Sequence, residues 1–183
     1  SGSFFAAREE VCRTWDIESP SDFNTALNCS KLAYRSLSAP DVLGYYKDLK
    51  DPAKEYARKV RTVIRGMTAL HRHPELLNPL QFGLFSFQVF GHKLMRWLVP
   101  WFLIALFLVT ATLAPLHYFF SLIFLAQGLF YGLAFAAHFS KGLRARGLIK
   151  IIYFFMQANV AVFDASCQFL SGTRVTVWQP SVR

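Results

Sequence analysis

Polar and apolar positions are mixed through the first third of the chain, whereas from Trp97 onward apolar residues run almost without interruption. In the mixed part, Phe23, Leu27, Ser30 and Tyr34 recur at i, i+4, i+7 and i+11, which predicts a helix over 21–34. Ser19 or Ser21 stands where a cap is needed. Upstream, "SGSFFAAREEV" reads as a small-residue loop entering a short helix. Downstream, "YRSLSAP" reads as a short strand ended by Pro40. Helix followed by strand is the grammar of an α/β domain. Fifty-odd residues are too few to bury a core of their own, so 1–52 is expected to be the last part of a larger α/β domain.

Residues 53–72 carry an apolar stripe of Tyr56, Val60, Ile64, Met67 and Leu70, with Arg58, Arg61, Arg65 and Arg72 largely off it. This pattern suits a helix at a bilayer interface, arginines among the head groups. The lesser alternative is a surface helix on a globular core. "HPELLNP" breaks the helix with two prolines. Residues 79–96 are apolar and aromatic, interrupted by Gly83 and Gly91, and end on His92, Lys93 and Arg96. They predict a second interfacial helix leading into the membrane.

No Asp, Glu, Lys or Arg stands anywhere in 97–140, a run of 44 residues. A crossing takes about 20 helical residues, so two spans are expected, 97–114 and 116–139, turning at Pro115 and His117. Trp97 and Trp101 sit near one end, as aromatic belts do. Basic residues flank both ends of the pair, up to Arg96 and from Lys141 to Lys150. The positive-inside rule then puts 53–96 and 141–150 on the cytosolic face and Pro115 outside. In 149–171, Gln157, Asn159, Asp164 and Gln168 interrupt the apolar run. A charge at the bilayer centre costs roughly 3 kcal/mol. This helix therefore either spans with Asp164 facing protein or lies along the interface. The tail, 172–183, reads as short, extended and basic.

Composition agrees with a membrane protein: 54% hydrophobic residues, 19 of them Phe. The net charge of +9 flanks the apolar run, which favours a membrane surface over nucleic acid. Cys12, Cys29 and Cys167 are odd in number and far apart, unlike a disulfide framework or a zinc site. They are expected to be small buried apolar residues on a reducing, cytosolic side. His71 and His73 are i, i+2 and would point apart on a helix. His92, His117 and His138 are isolated. No Gly-rich phosphate loop and no G-x-S-x-G occurs. The chain begins Ser-Gly-Ser, without an initiator Met or a signal-peptide pattern, and is expected to be a piece of something longer. Asp22, at the predicted start of a helix, would by itself gain about 0.3–1 kcal/mol from the helix dipole.

The order of the pieces resembles the C-terminal half of a membrane-embedded family 2 glycosyltransferase, the plan shared by cellulose, chitin and hyaluronan synthases and their bacterial relatives. Those pieces are a small-residue loop, an acid at a helix start, a strand, a basic amphipathic helix and spans. The resemblance covers nearly the whole chain. Its most specific part is "LLNPLQFGLFSFQVFGHKLMRWLVP", 76–100, similar to the block that follows the transferase domain in bacterial members. The fold it implies is mixed: a remnant of an α/β GT-A-type catalytic domain over 1–52, amphipathic interface helices over 53–96, an α-helical membrane region over 97–171 and the tail.

The resemblance implies roles residue by residue. Gly2 and Ser3, followed by Ala6 and Arg8, match the loop near the acceptor. Asp22 takes the position of the catalytic base, with Ser21 replacing the acid that usually precedes it. Tyr34 and Arg35 match the pair leading into the family's strand, which here ends on Pro40 and Asp41. Arg58-Lys59-Val60-Arg61-Thr62 stands where processive members have Q/R-x-x-R-W, bordering acceptor and diphosphate. Thr62 in place of Trp leans toward single transfer. Trp178, in "VTVWQP", is similar to the tail that returns to the active site.

The implied reaction is inverting transfer from a nucleotide sugar to a hydroxyl of a glycan or lipid acceptor. A carboxylate takes the acceptor's proton as it attacks the anomeric carbon. Arginines meet the charge growing on the leaving diphosphate. The family's divalent metal, Mg or Mn, is bound by a D-x-D motif that, with the nucleotide-binding strands, lies N-terminal of this segment. The isolated chain is therefore expected to be inactive. The implied setting is a bacterial inner membrane with the soluble part on the cytosolic face, no nucleic acid being involved. The alternative reading is a non-enzymatic membrane scaffold or transporter subunit.

Overall fold

The computed structural model describes residues 5–14, 21–45 and 52–175. All regular structure among them is helical. In chain order it comprises α1 (Glu9–Cys12), α2 (Ser21–Lys31), α3 (Pro52–Arg72), a 3-10 turn (Pro74–Leu77), α4 (Pro79–Phe82) and α5 (Leu84–Val89). A π-helical turn (Phe90–Leu94), α6 (Met95–Leu113), α7 (Tyr118–Phe139), α8 (Lys141–Arg144) and α9 (Gly147–Leu170) complete it. The chain forms two compact units, Ser1–Arg96 with Ala165–Arg183, and Trp97–Asp164.

The strand expected at 34–40 does not form, and the described residues hold no strand and no α/β remnant. A strand needs a neighbour to take its backbone hydrogen bonds, and none adjoins this segment. Its side chains are exposed throughout, Leu37 at 87%. Instead α2 closes on itself: the Tyr34 N–H donates to the Cys29 carbonyl (2.7 Å) and the Ala33 N–H to that of Ser30 (3.2 Å). Ala33 takes the left-handed conformation, φ 58°, that this closure requires.

The first unit encloses a core of its own. Leu27 of α2, Ile64 of α3 and Leu76 of the 3-10 turn are enclosed. Asn28 reaches across to α1, its side-chain N–H groups donating to the carbonyls of Val11 (3.0 Å) and Thr14 (2.8 Å). The Ser86 hydroxyl faces the carbonyls of Leu76 (2.7 Å) and Asn78 (2.9 Å), joining α5 to the turn before it. Lys31 ends α2 with a 2.8 Å ion pair to Glu75, and its ammonium also lies 2.9 Å from His73 Nδ1. The hydrogen bond from Lys31 holds the Glu75 carboxyl below its usual range, against a smaller opposing effect of desolvation.

The stripe expected on 53–72 is real, and protein covers much of it. Val60, Ile64 and Leu70 are buried, while Tyr56 and Met67 are half-buried. The expected prolyl break is present: α3 stops at Arg72 and the 3-10 turn starts at Pro74. The two glycines of 79–96 behave differently. Gly83 separates α4 from α5 at φ 53°, ψ −129°, a conformation closed to most residues with a Cβ. Gly91 interrupts nothing, because the backbone widens into the π turn and continues. Leu80, Leu84 and Phe87 form an exposed apolar strip here.

Three helices are long and apolar enough to cross a membrane: Leu84–Leu113, Tyr118–Phe139 and Gly147–Leu170. The first covers the expected 97–114 span but for its last residue, and begins earlier. Its 30 residues exceed the roughly 20 that the hydrocarbon core requires.

In the second unit, α6 and α7 form a hairpin. Its turn is closed by the Ser121 hydroxyl donating to the Ala114 carbonyl (2.6 Å) and by His117 Nδ1 accepting from the Phe119 N–H (3.2 Å). Phe107 packs between Phe124 and Tyr131 at 5.1 and 5.6 Å, and the Thr110 hydroxyl donates to Gln127 Oε1 (3.2 Å). At the open end, the Arg144 guanidinium caps α7 through the carbonyls of Ala137 (3.2 Å) and His138 (2.6 Å).

Helix α9 meets this hairpin crosswise. Tyr153 lies 6.3 Å from His138, near the end of α7, and Phe163 lies 4.8 Å from Trp101, near the start of α6. In an antiparallel hairpin these two places share one end. Ten helical residues rise about 15 Å, so the 153–163 stretch runs across that end rather than along the spans.

Candidate functional site

A polar cleft of about 500 Å³ opens in the first unit between the 5–8 segment, α2 and residues 34–37. Its walls include Ala6, Arg8, Asp22, Cys29, Tyr34 and Arg35. Asp22 stands in the first turn of α2, whose N-terminal dipole favours its negative charge. Its side chain is exposed to the cleft rather than sunk in the core. The Thr25 hydroxyl donates to the Ser21 carbonyl (2.6 Å), fixing the turn that carries it.

Opposite, the Arg8 guanidinium lies 5.3 Å from the Tyr34 ring centre, and the Tyr34 hydroxyl donates to Glu10 (3.3 Å). Closure of α2 at Ala33 turns Tyr34 and Arg35 back toward the cleft. Asp22 and two arginines, Arg8 and Arg35, thus line the same cleft. That set of residues suits a ligand with a hydroxyl at one end and negative charge at the other.

Lys93 adds a cation that the sequence did not connect with Asp22. Its ammonium lies 4.7 Å from the Phe23 ring centre, in electrostatic reach of the Asp22 carboxylate. Seventy-odd residues of chain separate the two, and no local pattern links them. The nearest signal is that Lys93 ends the amphipathic stretch 79–96.

The remaining site residues fall elsewhere or outside the described part. Gly2, Ser3 and Trp178 lie outside the described residues. Arg58 and Arg61 are on α3 and do not line the cleft. Arg58 is engaged by Glu55, its Nε at 3.0 Å and Nη2 at 2.9 Å from the two carboxylate oxygens. Cys12 and Cys29 are half-buried, but Cys167, expected inside, is exposed on α9. No cluster of three or more His, Cys, Asp or Glu able to hold a metal occurs among the described residues. In the cleft wall Asp22 is the sole carboxylate. None of the chemistry below passes through a metal.

Compared with family models, curated proteins and solved structures, the chain finds no match in any of the three. Its class rests on its own helices, three of them apolar and long enough to cross a bilayer: this is a helical membrane protein whose first unit carries a polar cleft.

Proposed function

We propose that the cleft is the acceptor side of an inverting membrane glycosyltransferase, completed by a nucleotide-binding part N-terminal of this chain. One observation carries the reading. Ala6, Arg8, Asp22, Tyr34 and Arg35, matched to the family one by one from sequence, line a single cleft.

In the proposed reaction an acceptor hydroxyl enters beside Asp22. The Asp22 carboxylate takes its proton while the hydroxyl oxygen forms a bond to the anomeric carbon. The bond from that carbon to the donor diphosphate breaks, its electron pair staying on the phosphate oxygen. Arg8 and Arg35 offset the growing negative charge, as charge-assisted hydrogen bonds to phosphate do. The divalent metal that the resemblance implies would be held by residues upstream. The acceptor is a glycan or a lipid. The reading places the protein in a bacterial inner membrane, with the cleft on the cytosolic side and α9 lying at the interface across the basic end of the hairpin.

The test is Asp22→Asn in the complete protein. Loss of a general base lowers turnover by about 10²–10⁴-fold, with binding of the nucleotide sugar retained. Sugar transfer at the unmutated rate would dismiss Asp22 as base and favour the scaffold or transporter-subunit reading.

A further inference from the structure

A second cavity lies in the Trp97–Asp164 unit and has the opposite chemistry. It holds about 290 Å³ between α6, α7 and α9. Pro100, Leu103 and Phe107 form one wall, Tyr131 the back, and Met156 and Val160 the other wall. It exists because α9 crosses the hairpin instead of packing along it, leaving a wedge where the helices diverge. No charged side chain lines it.

The surroundings identify the occupant. The rim residues Ile104, Leu108 and Val160 are exposed, and so are the flanking Leu106 and Val109. All the α6 residues among them belong to the charge-free run, on a helix long and apolar enough to cross a membrane. A groove opening on this surface opens into hydrocarbon, not water. An apolar cavity keeps water out, and a void leaves its walls without van der Waals partners. A methylene chain supplies those contacts, and the amide in the lining, Asn159, already donates to the Phe155 carbonyl (2.9 Å). With no cation in the wall, nothing there would hold a phosphate, so the head group stays outside.

We propose that this groove is a binding site for one acyl chain of a membrane phospholipid, held by the hairpin and α9. The site stands on the geometry of this unit and is independent of any reaction at Asp22.

The experiment uses the protein in vesicles of phosphatidylethanolamine and phosphatidylglycerol containing a phospholipid with a diazirine midway along one acyl chain. After irradiation, adducts are mapped by peptide mass spectrometry. Labelling of 100–108 and 156–163 should exceed that of the exposed α7 residues Leu122, Leu125 and Leu129 by about tenfold, a preference of about 1.4 kcal/mol. Leu103→Trp and Val160→Trp, which fill the groove, should remove the excess, while Leu125→Trp leaves it. Equal labelling of groove and α7 in the unmutated protein means an annular lipid only and overturns the proposal, as does excess labelling that survives in folded, filled variants. If the filled variants do not fold, the unmutated protein decides through native mass spectrometry. One retained phospholipid per chain after detergent extraction supports the site, and none retained overturns it.

Discussion

Leu27 on α2 and Leu125 on α7 are the same side chain in the same kind of helix, yet one is wholly enclosed and the other 69% exposed. The contrast extends to their units. In the unit of Leu27 the enclosed side chains include large apolar ones, Ile64 and Leu76. In the hairpin unit the two most enclosed residues are Ala137 and Ala161, while Leu106, Leu108, Leu122 and Leu129 face outward. Water drives the first arrangement, because removing apolar surface from it is favourable. In hydrocarbon that drive is absent, helices approach through small residues, and large apolar ones face the lipid. Polar groups behave alike in the two units: Asn28 in the first and Thr110 in the hairpin are both enclosed and hydrogen-bonded.

The sharpest test of this contrast is truncation of the two leucines. Leu27→Ala should cost about 2–5 kcal/mol, as for other enclosed leucines. Leu125→Ala should stay within about 0.5 kcal/mol, the range of exposed sites. Denaturation of both variants in the same bicelles compares them directly, and equal losses would break the division into a water-packed and a lipid-packed unit.

A smaller effect belongs to the end of α2. Ala33 holds a left-handed conformation that costs a residue with a Cβ roughly 1–2 kcal/mol. Ala33→Gly relieves that strain but enlarges the unfolded ensemble, for a net gain of about 1 kcal/mol or less. An unchanged or lowered midpoint would mean that the closure into Tyr34 and Arg35 is not held as described.

The smallest effect is electrostatic. Glu75 is held ionised chiefly by the hydrogen bond from Lys31, so its folded pKa lies below the usual 4.5. Its contribution to stability is fully present above that unfolded value and is lost as the pH falls through the folded one. The carboxylate is 41% exposed, so solvent screening keeps the pair within about 1 kcal/mol. Glu75→Gln should lower the denaturation midpoint at pH 7, with the difference vanishing in strong acid and shrinking in salt. A difference that persists unchanged at pH 2 would assign the effect to packing instead.

Much of the fold is legible in the order of residues. The charge-free run, the Trp pair and the basic flanks mark the hairpin. The i, i+4, i+7 spacing marks α2, and the two prolines of "HPELLNP" mark the end of α3. The misreadings have local causes. "YRSLSAP" has an extended pattern but no partner strand in the described chain, so it closes a helix instead. The stripe on α3 is amphipathic whether its apolar face meets lipid or protein. Part of the candidate site was picked out only through resemblance, which gave Asp22 the place of the base, Arg8 a place in the loop near the acceptor and Arg35 a place before the strand. Their meeting in one cleft, and the approach of Lys93 to Asp22, are long-range facts that no spacing rule carries.

What the sequence determined alone is what depends on runs and periods: which stretches are helical, which are apolar enough to cross a membrane, and where the positive charge gathers. These follow from side-chain chemistry summed over a few turns of one helix. What only the tertiary structure decided is which faces meet. It covered the stripe of α3 with protein, laid α9 across the hairpin and opened the groove beneath it. It also drew three segments of the first unit around Asp22. Those outcomes depend on competition among several apolar faces for a limited number of partners, and no single segment of the chain records who wins it.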